Sequence, residues 1–448
     1  MKYIPTAILL LFLTAVNAQQ SFSLEEAIDF ALENNRTAIN AEHDIEAAKK
    51  QKWETTAIGL PQIDATIDYQ NFLKQPVSPI PAEFVGGPEG EFIGVVFNPK
   101  QSMNAVATLR QLIFDGSYLV GLQSAKVFLE ISKNAKEKTD LEIRKQVISA
   151  YGNVLVAEKS IEILERNIDV LEKNVFETQK TFESGLAEEE SVEQLRITLS
   201  SLKSNLSNSI RLRDVAYKLL NMSLGLDINV QLTLTEELDD LTLEHMKPGL
   251  MDTPFSIDNN IDYKIAKNDE RSKELLFKYE KTKALPTLNA FINGGYTGFS
   301  EEFTFADSEQ VWYGSSVFGV SLNIPIFSSF ARSARSQRAK IDHEKSKTLL
   351  EETEQQIELQ LQNARSNYQF VIEQYETAKQ NLALAERIEN KNQIKFSEGV
   401  ASSFELRQAQ TQLYTSQQEY LQAMLNVINQ KAELETIINP TEVLTTLD

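Results

Sequence analysis

Few residues in this chain could do chemistry, and they are scattered. His43, His245 and His343 stand singly, without the spacing a metal site needs, and there is no cysteine. A cysteine–histidine zinc site, thiol nucleophiles and disulfides are therefore excluded, and neither a metal nor a cofactor is expected. No Gly-rich phosphate loop, His-Glu-x-x-His or Gly-x-Ser-x-Gly occurs. Carboxylates are plentiful, but most fall on solvated helix faces. The densest set, Glu188, Glu189 and Glu190, falls in a first helical turn, where the dipole favours acid. No catalytic residue emerges, and an enzyme is not expected. The histidines read as surface residues, and Trp53 as packed between helices.

The elements that carry these residues are long. From Tyr118 to Phe182, Val147, Val154, Ile161, Ile168, Val175 and Phe182 recur at sevens. Ile143, Ala150, Ala157, Leu164, Leu171 and Thr178 follow the same period at a different offset. A sustained seven-residue period means helices supercoiled on partners. At ~1.5 Å per residue such a run reaches on the order of 96 Å. A comparable run follows Phe330 and ends near Phe396. Long hollow assemblies of such rods suit transport better than catalysis.

The 448 residues carry 44 Lys+Arg against 64 Asp+Glu, a formal charge of −20, which argues against nucleic acid and against anionic membrane surfaces as partners. Lys2, the apolar run Ile8–Leu13 and the small-residue Val16-Asn17-Ala18 predict a secretory signal over residues 1–18. No later window is long and apolar enough for a membrane helix. Ser23 with Glu26 predicts a capping box, and a helix to about Ala57 with a break at Asn34-Asn35.

After Leu60-Pro61 the period becomes two. Ile63, Ala65, Ile67 and Tyr69 alternate with Asp64, Thr66 and Asp68, so one strand face is apolar. Residues 74–101, rich in Pro and Gly, read as a long loop, and a returning strand ends at Phe114. Asn259-Asn260, Leu285-Pro286, Ile326-Phe327 and Phe396-x-x-Gly399 then repeat Asn34-Asn35, Leu60-Pro61, Ile113-Phe114 and Phe182-x-x-Gly185 in order. The chain is duplicated. The first repeat spans residues 19–257, with a β-hairpin over 61–114, a helical hairpin over 118–225 and a middle segment over 227–257. The second spans 258–448, with a β-hairpin over 286–325 and a helical hairpin over 330–438.

The fold class expected is mainly α with a transmembrane β-barrel. Four strands of membrane-crossing length cannot enclose a lumen, so other copies must complete it. Three copies would supply twelve strands on a helical tunnel. Ile63, Ile67, Phe318 and Leu322 are the expected lipid-facing residues. Aromatics at strand ends, such as Tyr69, Phe114, Tyr296 and Trp312, are candidates for interfacial girdles.

The repeat order, Ser23-Leu24-Glu25-Glu26-Ala27, the two Leu-Pro strand starts and the two Phe-x-x-Gly tips resemble the TolC-type outer-membrane efflux channels over about residues 20–440. The resemblance implies a homotrimer in the outer membrane of a Gram-negative bacterium, extending into the periplasm. Implied partners are a periplasmic adaptor (membrane fusion protein) and an inner-membrane transporter of RND, ABC or MFS type. The cargo would be small molecules or drugs. A type I protein-secretion conduit and a soluble periplasmic coiled-coil adaptor or scaffold are the alternatives. The family's acidic periplasmic gate maps to Glu405 and Gln408, where one acid is kept and one is an amide. Glu188, Glu189 and Glu190 would add a second acidic ring. Phe182, Gly185, Leu186, Phe396, Gly399 and Val400 mark the tips expected to dock the adaptor.

Overall fold

The computed structural model describes residues 20–438; the signal segment expected over residues 1–18 lies outside them. In the first repeat, β1 (Gln20–Phe22), α1 (Leu24–Asn34) and α2 (Arg36–Ala57) precede β2 (Gln62–Asn71). Then come β3 (Ser78–Pro81), β4 (Phe92–Val95) and β5 (Gln101–Phe114). The helical hairpin is α3 (Gly116–Glu183) and α4 (Glu189–Leu224), followed by β6 (Leu232–Leu234) and α5 (Leu238–His245). The second repeat is α6 (Ile261–Thr282), β7 (Thr287–Ser300), β8 (Trp312–Asn323), α7 (Ala331–Ser397) and α8 (Ser403–Ile438). Each repeat runs helix, antiparallel strands, long helix and returning helix.

The chain forms two compact units, and each draws on both repeats. One comprises the residues up to Asp44, Lys133–Ala266 and those from Glu351 on. Its core is built by the heptad positions. Val147, Tyr151 and Val154 of α3 pack with Leu220 and Leu224 of α4, Tyr368 and Tyr375 of α7, and Leu421, Met424 and Ile428 of α8. Burying each large apolar side chain stabilises by about 1.5–3 kcal/mol. Nearer the hairpin ends, Leu164, Ile168 and Leu171 meet Leu195 and Leu202. The expected capping box starts α1: Glu26 N–H donates to Ser23 Oγ at 3.3 Å, and Ser23 N–H donates to Glu26 Oε2 at 2.8 Å. The middle segment holds one short strand, β6, parallel to β1, one short α-helix, α5, and a 3-10 turn over Pro248–Asp252. Tyr151, fully buried, donates its hydroxyl to Phe22 O at 3.0 Å and ties β1 to α3.

The other unit comprises Ile45–Ser132 and Lys267–Leu350. It holds a four-stranded antiparallel sheet of order β2-β5-β7-β8. The Leu-Pro dipeptides act as expected: each proline ends a helix and precedes a strand, where its missing N–H leaves no ladder bond unmade. Val120 and Val127 of α3 pack against Leu275 of α6.

Three expectations are corrected. Residues 74–101 are not wholly irregular, because β3 and β4 pair as a small antiparallel hairpin with Ile80 opposite Ile93. His245 and His343 are buried, not superficial: each satisfies a ring nitrogen, His245 Nδ1 at 2.9 Å from Leu241 O and His343 Nε2 at 2.6 Å from Glu270 Oε1. Trp53 is 63% exposed, not packed between helices.

Candidate functional site

Strand alternation in the sheet produces two chemically distinct faces. Residues directly opposite one another on paired strands share a face. The register places Ile63, Leu109, Ile292 and Phe318 in one row across all four strands. Ile67, Ala105, Tyr296 and Gly314 form another row on the same face, and Leu288 and Leu322 one more. Ile63 and Ile67 are each 71% exposed, Phe318 70% and Leu322 57%. In water such a surface would be costly. The opposite face carries Asp64, Asp68, Asn104, Arg110 and Thr297, with an Arg110–Asp64 ion pair at 2.7 Å and Thr297 donating to Asn104 Oδ1 at 2.9 Å.

Among the described residues, both outer strands, β2 and β8, have a neighbour on one side only. All ten residues of β2 are exposed. Their unpaired backbone groups form an open edge, which an apolar surrounding does not tolerate.

At one end of the sheet the loop after β7 folds back onto Tyr69. Phe303 and Phe305 lie edge-on to that ring, at 5.7 and 5.9 Å, and Trp312 packs on Phe305 at 6.1 Å. The two phenylalanines of this loop were the available signal in the sequence.

In the other unit, the two helical hairpins end in the same motif. Gly185 and Gly399 adopt φ of 75° and 72°. Leu186 N–H reaches back to Thr181 O at 3.0 Å, and Val400 N–H to Lys395 O at 2.8 Å. This six-to-one bond closes a helix C-terminus and needs a left-handed residue, which glycine supplies. Leu186 and Val400 remain 82% and 76% exposed.

A cleft of about 540 Å³ joins the two tips. Leu186, Glu188 and Glu190 line it from the first hairpin, and Phe396, Gly399 and Phe404 from the second. Ser403 Oγ lies 3.2 Å from Ser191 Oγ across it. Phe182, Gly185, Glu189, Val400, Glu405 and Gln408 do not line the cleft. Phe396 packs on the Leu171–Leu195 cluster.

Glu188 is the residue before α4, and Glu189 and Glu190 occupy its first turn, all exposed. Glu405 is exposed and bonded locally: Ser402 N–H and Oγ–H donate to its Oε2 at 2.8 and 3.0 Å, and Glu405 N–H returns to Ser402 Oγ at 3.3 Å. This is a capping box at the start of α8. The Ser402 backbone and hydroxyl donors hold its carboxyl below the ordinary glutamate range. Gln408, one turn on, is also exposed.

Sequence reading missed the polar layers between the hairpins. Asn174 Nδ2 donates to Gln393 Oε1 at 2.8 Å, and Gln393 Nε2 donates back to Asn174 Oδ1 at 2.6 Å. Asn167 donates to Gln417 at 2.8 Å. Ser160, Asn167 and Asn174 form a buried stripe at sevens on α3. That spacing was the available signal. Nearby, burial raises the Glu389 carboxyl.

The profile of the family described as outer membrane efflux protein matches residues 27–226 and 266–440. No curated protein sequence matches the chain. Solved structures with the same fold include the outer membrane protein VceC of Vibrio cholerae, at a TM-score of 0.72 and 15% identity over 93% of this chain and 95% of that one. A membrane protein of Pseudomonas aeruginosa gives 0.74 and 15%, covering 93% and 92%. The CmeC outer membrane channel of Campylobacter jejuni gives 0.71 and 16%, covering 93% and 85%. The mainly helical duplicated fold, its four-stranded sheet and a profile matched through both repeats lead to one conclusion: the chain belongs to the outer membrane efflux protein family, non-enzymatic channels of the outer membrane that extend into the periplasm.

Proposed function

We propose that the protein is the outer-membrane conduit of a tripartite export system, passing small molecules or drugs delivered by an inner-membrane pump. The observation that carries this reading is the sheet: one apolar exposed face, one polar face and two open edges. Along β2-β5-β7-β8 the strand direction alternates, so β8 of one copy can pair antiparallel with β2 of the next. Three copies close a twelve-stranded ring with the apolar rows outward and the Asp64–Arg110 face lining water. Ile63, Ile67, Phe318 and Leu322 then face lipid. A soluble coiled-coil scaffold would leave that face in water, so the membrane reading is favoured.

The hairpin tips are assigned to the periplasmic end. Phe182, Gly185, Leu186, Phe396, Gly399 and Val400 form the surface offered to a periplasmic adaptor. The pump beyond it is of RND, ABC or MFS type. Three symmetry-related copies of Glu405, with Gln408 one turn on and the Glu188–Glu190 set beside them, make an acidic constriction that favours cations. Energy for transport comes from the pump.

Membrane fractionation with semi-native electrophoresis tests the assembly. A detergent-extracted trimer in the outer membrane is expected, and a soluble monomer would refute the conduit. Crosslinking with affinity purification of the tagged chain would identify the adaptor and the pump.

A further inference from the structure

The two repeats part company where each hairpin's second strand hands over to its long helix. In the first repeat Phe114 is followed at once by Asp115, whose carboxylate accepts from the Ser117 and Tyr118 N–H groups at 2.7 and 3.3 Å. In the second repeat Ile326-Phe327 correspond to Ile113-Phe114, and the residue after them is Ser328, not an acid. Ser329 and Phe330 then both take left-handed backbone, with φ of 48° and 63°. They are the only non-glycine residues with positive φ among the described residues, and such a conformation is uncommon for an L-residue and unfavourable for a bulky one.

This elbow aims apolar rings outward. Ile326 is 89% exposed, Phe327 75% and Phe330 78%, and the two rings meet edge-on at 6.0 Å. They continue the exposed stripe of Val320 and Leu322 on β8 and Ile324 just after it.

The charge below the elbow is one-sided. Residues 310–341 hold no Asp or Glu, in a chain of net charge −20, yet include Arg332, Arg335, Arg338 and Lys340. α7 starts with no acid in its first turn. Arginines there face the positive end of the helix dipole, an unfavourable place unless an anion offsets it. Arg332 donates to Pro325 O at 2.8 Å, which braces the elbow. Arg335 and Arg338 are exposed, and neither has a carboxylate partner among the described residues.

We propose that residues 324–338 form a lipid-headgroup anchor. Phe327 and Phe330 enter the interfacial layer of the periplasmic leaflet, and Arg335 and Arg338 bind phosphates of its phospholipids. This rests on the reading that the sheet is membrane-embedded. Continuity with the apolar stripe, the aromatic pair and the cationic, acid-free segment all match one occupant, an anionic interface with an apolar interior.

Because the chain has no cysteine, single cysteines can be labelled cleanly. Nitroxide labels at Ile67, Phe330 and Arg335 in the full-length protein, in vesicles of phosphatidylethanolamine and phosphatidylglycerol, would be probed with oxygen and a water-soluble nickel chelate. Oxygen should dominate at Ile67, a shallow headgroup depth should be read at Phe330, and nickel should dominate at Arg335. If Ile67 favours oxygen while Phe330 is nickel-accessible, the anchor is wrong but the membrane sheet stands. If Phe330 is shielded from both reagents, a second copy covers it and the anchor is again wrong. If Ile67 itself excludes oxygen, the membrane reading fails and takes the anchor with it. In parallel, R335Q/R338Q should lower co-purifying phosphatidylglycerol by roughly fivefold per arginine, with the trimer intact and R335K/R338K close to the parent. Unchanged lipid in an intact R335Q/R338Q trimer would overturn the phosphate contact.

Discussion

Asn35 and Asn260 do the same work in the two repeats. The Asn35 side-chain amide donates to Ser223 O, the end of α4, at 2.7 Å, and its Oδ1 accepts from Thr37 N–H at the start of α2. The Asn260 amide donates to Ile437 O, the end of α8, at 3.0 Å, and its Oδ1 accepts from Asp262 N–H at the start of α6. Each side chain thus ties one helix end to another. Both are buried. Replacing either with Ala orphans a donor and an acceptor, and should cost about 1–3 kcal/mol. Asp at the same place keeps the acceptor, but ionised at neutral pH it has no donor for the carbonyl, so it should still be less stable than the parent. Urea unfolding of each variant at neutral pH measures this; equal stability of Asn35→Ala and parent would refute the tie.

Gly225 and Gly185 share a left-handed backbone, with φ of 83° and 75°, but not their surroundings. A Cβ on Gly225 would lie 2.1 Å from Asn34 O, whereas one on Gly185 would meet nothing within 4 Å. Gly185→Ala should therefore cost only the backbone preference, about 1 kcal/mol. Gly225→Ala must also move the α1–α2 junction, adding roughly 1–3 kcal/mol. Thermal or denaturant unfolding of the two variants should rank them in that order.

The Asn174–Gln393 pair should behave non-additively. Asn174→Val strands the Gln393 amide in a buried layer, at a cost of about 1–3 kcal/mol, whereas pairing it with Gln393→Leu removes both polar groups. The double variant should be no less stable than the single, and its helices should lose their fixed register. Hydrogen exchange over residues 170–180 and 389–397 should quicken by about tenfold in Asn174→Val. Additive losses would show that the two amides do not act as a pair.

Much of this was legible in the sequence, and the reasons are physical. Heptads at Val147 and Val154 and alternation at Ile63 and Ile67 report periods that depend only on backbone geometry. Pro286 and Gly399 punctuate because of their own backbone limits. Asn174 and Gln393, in contrast, lie in separate repeats, and one chain's spacing does not say which helix each faces. His245 was misjudged because a polar residue was assumed to be wet, when a carbonyl one turn back satisfies it. The elbow at Phe330 needs left-handed backbone at residues that do not advertise it. Partner and cargo contacts lie outside any local period.

His245 gives the helical unit a pH dependence. Burial, then the charge of Lys431, lowers its pKa to about 4. Lys431, its partner Glu435 at 3.2 Å and Lys247 are the charged groups that face it, and Tyr368 donates its hydroxyl to His245 O at 2.6 Å. The unfolded chain takes up this proton near pH 6.5, the folded chain only near 4. Stability contributed by the neutral ring is therefore whole above pH 6.5, declines as pH falls between those values, and is gone below about 4. The loss is about 3 kcal/mol. His245→Asn should flatten that part of the stability–pH curve; an unchanged slope between pH 6.5 and 4 would assign the effect to the carboxylates instead.

Glu405 can act through its charge or through its capping bond, and two substitutions separate the roles. Glu405→Gln keeps a side-chain acceptor for the Ser402 donors but removes the charge. Glu405→Ala removes both. If the charge sets cation preference, both variants should lose it equally in planar bilayers, and Glu405→Ala should raise conductance. If capping alone matters, Glu405→Gln should match the parent, and only Glu405→Ala should loosen the start of α8. The pH dependence follows from the Ser402 donors, which lower the folded pKa. The capping contribution is present above the unfolded glutamate pKa and is lost as pH falls through the lower folded value. Cation preference should likewise persist through the ordinary glutamate range and fade only below it. A preference that disappears already at the ordinary glutamate pKa would show that Glu405 does not carry the selectivity.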